Sequence, residues 1–136
     1  MDVAPDTDVL VAAVRSRLGA SRAWLRAILR GEAALLLSVP LVLQYEAVLM
    51  RPEPLAASRA NDALLDALCA VCRPVEIACL WRPTLRDPDH EMVLEVAANG
   101  RADRLLTFNE RDFAGAARFG VRIARPGPAW RAWRQG

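Results

Sequence analysis

Ala34-Leu35-Leu36-Leu37-Ser38-Val39-Pro40 is the stretch that decides the fold. Its first four residues are short, fully apolar and without alternation, which reads as a strand buried on both faces. Pro40 to Met50 then reads as a helix with proline in its first turn, stopped by Arg51-Pro52-Glu53-Pro54. The same alternation extends in both directions. Asp2 to Pro5 reads as a short strand, followed by helices over Val9–Arg17 and Ala20–Arg30, the second with Ala23, Trp24, Leu25, Ala27 and Ile28 inward. Downstream, a helix covers Asn61–Cys72, a strand Pro74–Leu80, and a helix Asp87–Asn99 with Gly100 as its cap. Strands over Arg104–Thr107 and Val121–Ala124 follow, and Pro126-Gly127-Pro128 ends the core ahead of a Trp-rich tail that reads as a short docking helix. Short apolar strands alternating with helices predict an α/β fold: a parallel sheet covered on both faces.

Composition agrees with one ordinary domain. The chain has 136 residues, of which 54% are hydrophobic and 25% charged, which excludes intrinsic disorder. Apolar runs such as Ala33 to Leu37 and Val9 to Val14 are far below the roughly 20 residues of a membrane span. Met1-Asp2-Val3-Ala4-Pro5-Asp6 has neither the basic nor the apolar region of a secretory signal, so a cytoplasmic location is expected. The net charge is only +2, too weak a field to imply nucleic acid by itself. All 18 basic residues are arginine, which suits phosphate contacts and equally reflects GC-rich coding. Cys69 and Cys72 form a C-x-x-C, but they share i, i+3, i+4, i+7 spacing with Leu65 and Leu68. They therefore read as one buried helix face rather than a metal or redox site.

In an open parallel sheet, ligands bind beyond the carboxyl ends of the strands. The residues placed there are Asp6-Thr7-Asp8, Ser38 and Thr107-Phe108-Asn109, with Asp112 just beyond; helix starts add Asp87, Asp89, His90 and Glu91. Acidic and amide groups thus collect at one edge. Their mutual repulsion calls for a divalent cation, and oxygen-rich ligation favours Mg²⁺ or Mn²⁺.

These residues also resemble a family. Asp6-Thr7-Asp8-Val9-Leu10-Val11 is similar to the D-T-N-V-L opening of PIN-domain nucleases. Ser38-Val39-Pro40 with Gln44-Tyr45-Glu46-Ala47-Val48-Leu49 resembles their second acidic element. Leu80-Trp81-Arg82-Pro83 through Asp87-Pro88-Asp89-His90-Glu91 to Glu95 resembles the third, and Ala102-Asp103 through Thr107-Phe108-Asn109-Glu110-Arg111-Asp112-Phe113 the fourth. The ordered set runs from Asp6 to about Pro128 and is most similar to PIN proteins of toxin–antitoxin systems, related to VapC. It implies a three-layer α/β/α PIN-like fold with a central, mostly parallel five-stranded sheet over residues 1–128, with 129–136 as the tail. It also implies a metal-dependent endoribonuclease, the toxin of a toxin–antitoxin pair, with an RNA substrate, a small antitoxin partner and a homodimer. Carried over by position, Asp6 and Glu46 would be metal-coordinating carboxylates. A residue of Asp89–Glu91 would supply the third acid, and Asn109 or Asp112 the fourth position. The implied catalytic set is Asp6, Glu46, Asp89 and Asp112, with Glu91 and Asn109 as further metal ligands.

Each of these residues also has an ordinary explanation. Asp6 and Asp87 suit helix N-caps, Asp89 and Glu91 suit a helix dipole, Asp112 suits the cap of a short helix from Ala114, Asn109 suits a turn, and a mid-helix Glu46 suits solvent. Three positions depart from the family pattern. Asp8 stands where the family has Asn, Pro5 precedes Asp6 in what should be a central strand, and His90 stands where the third acid is expected. His90 motivates an alternative reading, a catalytically impaired PIN-fold RNA-binding or regulatory protein. A phosphate-accepting receiver domain is disfavoured by the absence of lysine. Arg15, Arg17, Arg22, Arg26, Arg82, Arg86 and Arg111 are candidates for phosphate contact. Trp24 and Trp81 are expected in the core or an interface.

Overall fold

The computed structural model describes residues 1–50, 58–77 and 88–135. The elements run β1 (Asp2–Pro5), α1 (Thr7–Arg15), α2 (Ala20–Leu29), β2 (Ala34–Leu37), α3 (Val39–Leu49), α4 (Ser58–Val71), β3 (Arg73–Pro74), α5 (Pro88–Asn99), β4 (Arg104–Leu106), two 3₁₀ turns (Glu110–Phe113 and Ala116–Phe119), β5 (Ile123–Ala124) and α6 (Pro126–Gln135). The strands form one sheet in the order β3-β2-β1-β4-β5, and every pairing is parallel. Helices cover both faces, as the expected three-layer α/β/α architecture requires. No helix among the described residues is long and apolar enough to cross a membrane.

The sheet is built from side chains that cannot stay in water. Val3, Leu35, Leu36, Leu105 and Leu106 are buried to within 1% of completeness. Each such side chain contributes about 1.5–3 kcal/mol relative to exposure. The proline in β1 is accommodated by the sheet's own registry. β1 pairs with β2 only at Asp2 and Val3, but pairs with β4 through Pro5. The N–H of Asp6 points to β4, donating to Leu106 O at 2.8 Å. Amides alternate sides along a strand, so Pro5 would have donated toward β2, from which β1 has already parted. Its missing donor therefore costs no ladder bond, and its carbonyl accepts the buried Tyr45 hydroxyl.

Two expectations are corrected here. The strand is Arg73–Pro74, so of the predicted Pro74–Leu80 only Pro74 is in the ladder, and residues 78–80 lie outside the described residues. Cys69 is exposed and Cys72 half-buried, because the inward face of α4 runs through Asn61, Leu65 and Leu68, about 100° per residue away from Cys69. Gly100 follows α5 as the expected cap, its N–H donating to Val96 O at 2.8 Å, and its value there is room rather than left-handed backbone. The positive φ (53°) falls on Arg101, whereas a Cβ on Gly100 would meet Val75 Cγ2 at 2.8 Å, Val96 O at 2.9 Å and Leu36 Cδ1 at 3.0 Å.

The last helix is fastened by tryptophan. Trp24, 1% exposed, donates Nε1–H to Pro126 O at 3.0 Å, stacks on Trp133 (5.0 Å, 8°) and meets Trp130 edge-on at 5.3 Å. The Trp-rich segment thus docks onto α2, starting at Pro126. Trp81 lies outside the described residues. Because backbone as well as side chains crowd Gly100, Gly100→Ala is expected to destabilise the fold by about 1–3 kcal/mol in urea unfolding.

Candidate active site at the carboxyl edge of the sheet

Where β1 ends, Asp6 begins α1 as its N-cap, and its Oδ1 accepts the Thr7 N–H at 2.9 Å. The expected capping role is therefore real, but it occupies one carboxylate oxygen only. The other, Oδ2, accepts from Thr107 Oγ1 at 2.9 Å across the junction with the end of β4. The two strands that hold the centre of the sheet thereby hold this carboxylate, which is 1% exposed. Asp8 turns inward beside it. Its Oδ2 accepts from the Phe108 N–H and from Asn109 Nδ2, both at 3.0 Å, while its buried Oδ1 has no hydrogen-bond partner. Asn109 is therefore a brace for Asp8, tied in turn by its own N–H to Thr107 Oγ1 at 3.0 Å.

Burial, then the neighbouring Asp8 charge, pushes the Asp6 carboxyl up to about 6 from an ordinary 3.8; the Coulomb effect of His90 and the hydrogen bonds from Thr107 and Thr7 pull the other way. Burial also raises Asp8, against its hydrogen bonds to backbone and Thr107. The wholly buried Tyr45 hydroxyl rises well above its ordinary value for the same reason, with the two carboxylates adding to it. The site is thus strongly electronegative and short of a cation.

His90 enters from the first turns of α5. Its Nε2 lies 3.5 Å from Asp6 Oδ2 and its Nδ1 3.6 Å from Asp112 Oδ2. Both separations exceed a good hydrogen bond, so the imidazole sits between the two carboxylates as a neighbour rather than a clamped partner. The ring rests 4.9 Å from that of Phe113, which anchors it from below. Asp112 is half-exposed inside the 3₁₀ turn Glu110–Phe113, so it is not the cap expected for a helix from Ala114.

The remaining candidates separate. Glu46, which the resemblance makes a metal-coordinating carboxylate, is exposed: α3 turns Leu41, Gln44, Tyr45 and Leu49 inward, and Glu46 lies about 100° beyond Tyr45. The inward polar group of α3 is Gln44, 8% exposed, whose Oε1 has no hydrogen-bond partner. Its spacing from Leu41 (i+3) and Val48 (i−4) was the signal that could have found it. Glu91 is buried, 2% exposed, and Asp89 is exposed at the rim of the cleft. Asp87, Arg82 and Arg86 lie outside the described residues. Arg22 is spent on structure, bonding the Ala13 and Val14 carbonyls at the end of α1.

Around Asp6 and Asp8 opens a cleft of about 640 Å³, lined also by Arg15, Asp89, His90, Phe108 and Asn109. Among the described residues, no three His, Cys, Asp or Glu side chains converge as a ready-made metal site. Two adjacent carboxylates, one with a bare buried oxygen, still fit a hard cation that completes its shell with water and substrate oxygens.

The raised Asp6 value has a sign. A carboxyl that titrates higher in the folded state opposes folding once ionised, so its contribution to stability is full below about pH 4. It is lost as the pH rises through about 6. In metal-free buffer, Asp6→Asn is therefore expected to raise stability at pH 7.5 by on the order of 2–3 kcal/mol. It should also flatten the wild-type decline between pH 4 and 7 in denaturant titrations. An unchanged pH profile would show that Asp6 is not the strained group.

Comparison with known proteins now bears on this geometry. The PIN domain family matches residues 2–111. A search of curated protein sequences finds no significant match. Among solved structures, one similar chain belongs to VapBC2 from Rickettsia felis bound to a DNA fragment from their promoter. It has a TM-score of 0.63 at 13% identity and covers 92% of this chain and 98% of that one. Another belongs to FitAB bound to an IR36 DNA fragment, with a TM-score of 0.58 at 16% identity and 96% of each chain covered. At such identities the likeness is one of fold, and it is the fold described above. A family match over residues 2–111 of 136, carried on that fold, makes this chain a member of the PIN-domain family, whose proteins are generally nucleases.

Proposed function

We propose that the chain is a divalent-metal-dependent endoribonuclease and the toxin of a toxin–antitoxin pair, working in the cytoplasm. The observation that carries this reading is the buried Asp6 carboxylate beside a half-buried Asp8 at the carboxyl edge of the sheet, with the buried Asp8 Oδ1 unpartnered. Such a pair is costly in an isolated protein and becomes favourable around a cation. Asp6 and Asp8 would hold Mg²⁺ or Mn²⁺. When bound, the ion supplies polarisation of a phosphoryl oxygen and activation of a water.

The chain's own groups do the rest. The Thr7 N–H and Thr107 hydroxyl fix the Asp6 carboxylate, and the Phe108 N–H and Asn109 amide fix Asp8, so that neither turns away as a phosphate approaches. His90 presents a nitrogen where the family resemblance leads one to expect a third acid, a donor that favours Mn²⁺ over Mg²⁺. Asp112 and Asp89 lie at the margin, where they can take up or orient water. Arg15 lines the cleft and offsets the charge of an incoming strand. Glu46, on the outside of α3, has no place in this constellation. That the similar folds occur in VapBC2 and FitAB supports a small antitoxin as partner; the homodimer is carried by the family resemblance alone.

One observation favours a second reading, a PIN domain that binds RNA without cutting it. Both departures from carboxylate chemistry point inward: Gln44 on α3 and His90 on α5. Purified protein and structured RNA distinguish the two. With 1 mM Mn²⁺, cleavage is expected to exceed that with Mg²⁺, to stop with EDTA and to fall at least 100-fold in Asp6→Ala. His90→Asp, alone or with Gln44→Glu, is expected to raise the Mg²⁺ rate. Folded wild-type protein that binds RNA, fails to cut with either metal, and is rescued by those substitutions would establish the second reading instead.

A further inference from the structure

A second cleft, about 410 Å³, opens beside the acidic one and shares Ala12, Ser16 and Phe108 with it, so the two form one groove. Its walls are of the opposite character. α2, ten residues long, begins here with Gly19 as an N-cap that offers no side-chain hydrogen bond. The first N–H accepted within the helix is that of Ala23, on Gly19 O. The amides of Ala20, Ser21 and Arg22 thus carry the unsatisfied donors and positive end of a helix. α6 begins at the same cleft, where Gly127 stands between two prolines that have no N–H. The cleft also contains Arg125, whose guanidinium carbon lies 6.0 Å from the Phe108 ring centroid. Phe108 is an aromatic ring left 40% exposed.

Ser21 shows that something is expected here. It lines the cleft and is 4% exposed, yet its Oγ has no hydrogen-bond partner. On its other side lies a small apolar cavity walled by Trp24, Leu25, Ile28 and Leu35, which provides none. A buried hydroxyl at the start of a helix with unsatisfied amides, in a cleft that also holds an arginine, is a donor set that recognises a phosphate.

We propose that this cleft is a nucleotide subsite. A phosphodiester of single-stranded RNA sits at the N-terminus of α2 against Ser21 Oγ and Arg125, and its base stacks on the open face of Phe108. The strand then continues along the shared wall to Asp6 and Asp8. The proposal rests on the nuclease reading for its choice of ligand, not for its geometry. The groove is electropositive at one end and acidic at the other, so a strand is gripped a step away from the carboxylates that would repel it.

The full chain, ¹⁵N-labelled and metal-free, is titrated with inorganic phosphate and with a 2′-O-methyl hexanucleotide that cannot be cleaved. Both are expected to shift the Ser21 and Arg22 amides. Arg125→Glu and Phe108→Ala, at exposed positions, should each weaken hexanucleotide binding about tenfold, in the range of one lost phosphate contact or one lost base stack. Ser21→Ala should weaken both probes. Unmoved Ser21 and Arg22 amides, or wild-type affinity in both exposed variants, would overturn the subsite. Shifts with phosphate but none with the hexanucleotide would reduce it to a small-anion site and overturn the strand path. The nuclease reading fails separately: a chain that binds the hexanucleotide here and cuts no RNA with any metal keeps the subsite and loses the activity. One that cuts RNA with unchanged KM in Arg125→Glu and Phe108→Ala loses the subsite and keeps the activity.

Discussion

The hydroxyl of Thr107 joins the two strands on which everything else depends. It donates to Asp6 at the end of β1, accepts from the Asn109 amide, and lies 3.4 Å from the Asp8 carboxylate. Asp6 and Asp8 are like charges in a place where water does not reach them well, and each raises the cost of ionising the other. They stay together because their lone pairs are met by donors that the sheet itself positions. A parallel sheet delivers all its strand ends to one edge, and the chain uses two adjacent ends, β1 and β4, to deliver an aspartate and the threonine that holds it.

The surroundings adapt to that constraint. Pro5 would be disruptive in the middle of a central strand, but β1 has left β2 by the time the proline is reached, and its carbonyl is free to take the Tyr45 hydroxyl. α5 brings His90 between Asp6 and Asp112, and Phe113 packs under the ring. The tryptophans keep α6 against α2, so the beginnings of these two helices lie together beside the acidic cleft. Acidic and electropositive surfaces therefore meet along one groove, an arrangement suited to a polyanion that must be attracted first and attacked second.

Much of this was legible in the residues. Ala34–Leu37 was legible as a strand because a short, wholly apolar run cut off by Ser38 and Pro40 leaves no room for a helix of its own. Asp6, Asp8 and the Thr107–Asn109 segment were legible for the same reason: they follow strands, and strand ends define the edge. Helix-borne groups were harder to read. A residue step of 100° separates Gln44 from Tyr45 and Tyr45 from Glu46, so an error of two positions in the inward face exchanges a buried amide for an exposed carboxylate. The face of α3 is nearly all apolar, which removes the contrast that would have set the phase. Cys69 was misplaced on α4 by the same mechanism.

The sequence by itself determined the α/β class, the order of the elements and the gathering of acids at one edge, because hydrophobic period and chain order are local properties that tertiary packing rarely overrides. Only the tertiary structure decided which of those groups touch. That Asp8 faces in and leaves one oxygen bare, that His90 lies between Asp6 and Asp112, that Gln44 replaces Glu46 on the inner face, and that Ser21, its hydroxyl without a partner, lines the same cleft as Arg125 all depend on helix rotation and on contacts between residues far apart in the chain. Those are set by the packing of whole elements against one another, which no single stretch of sequence contains.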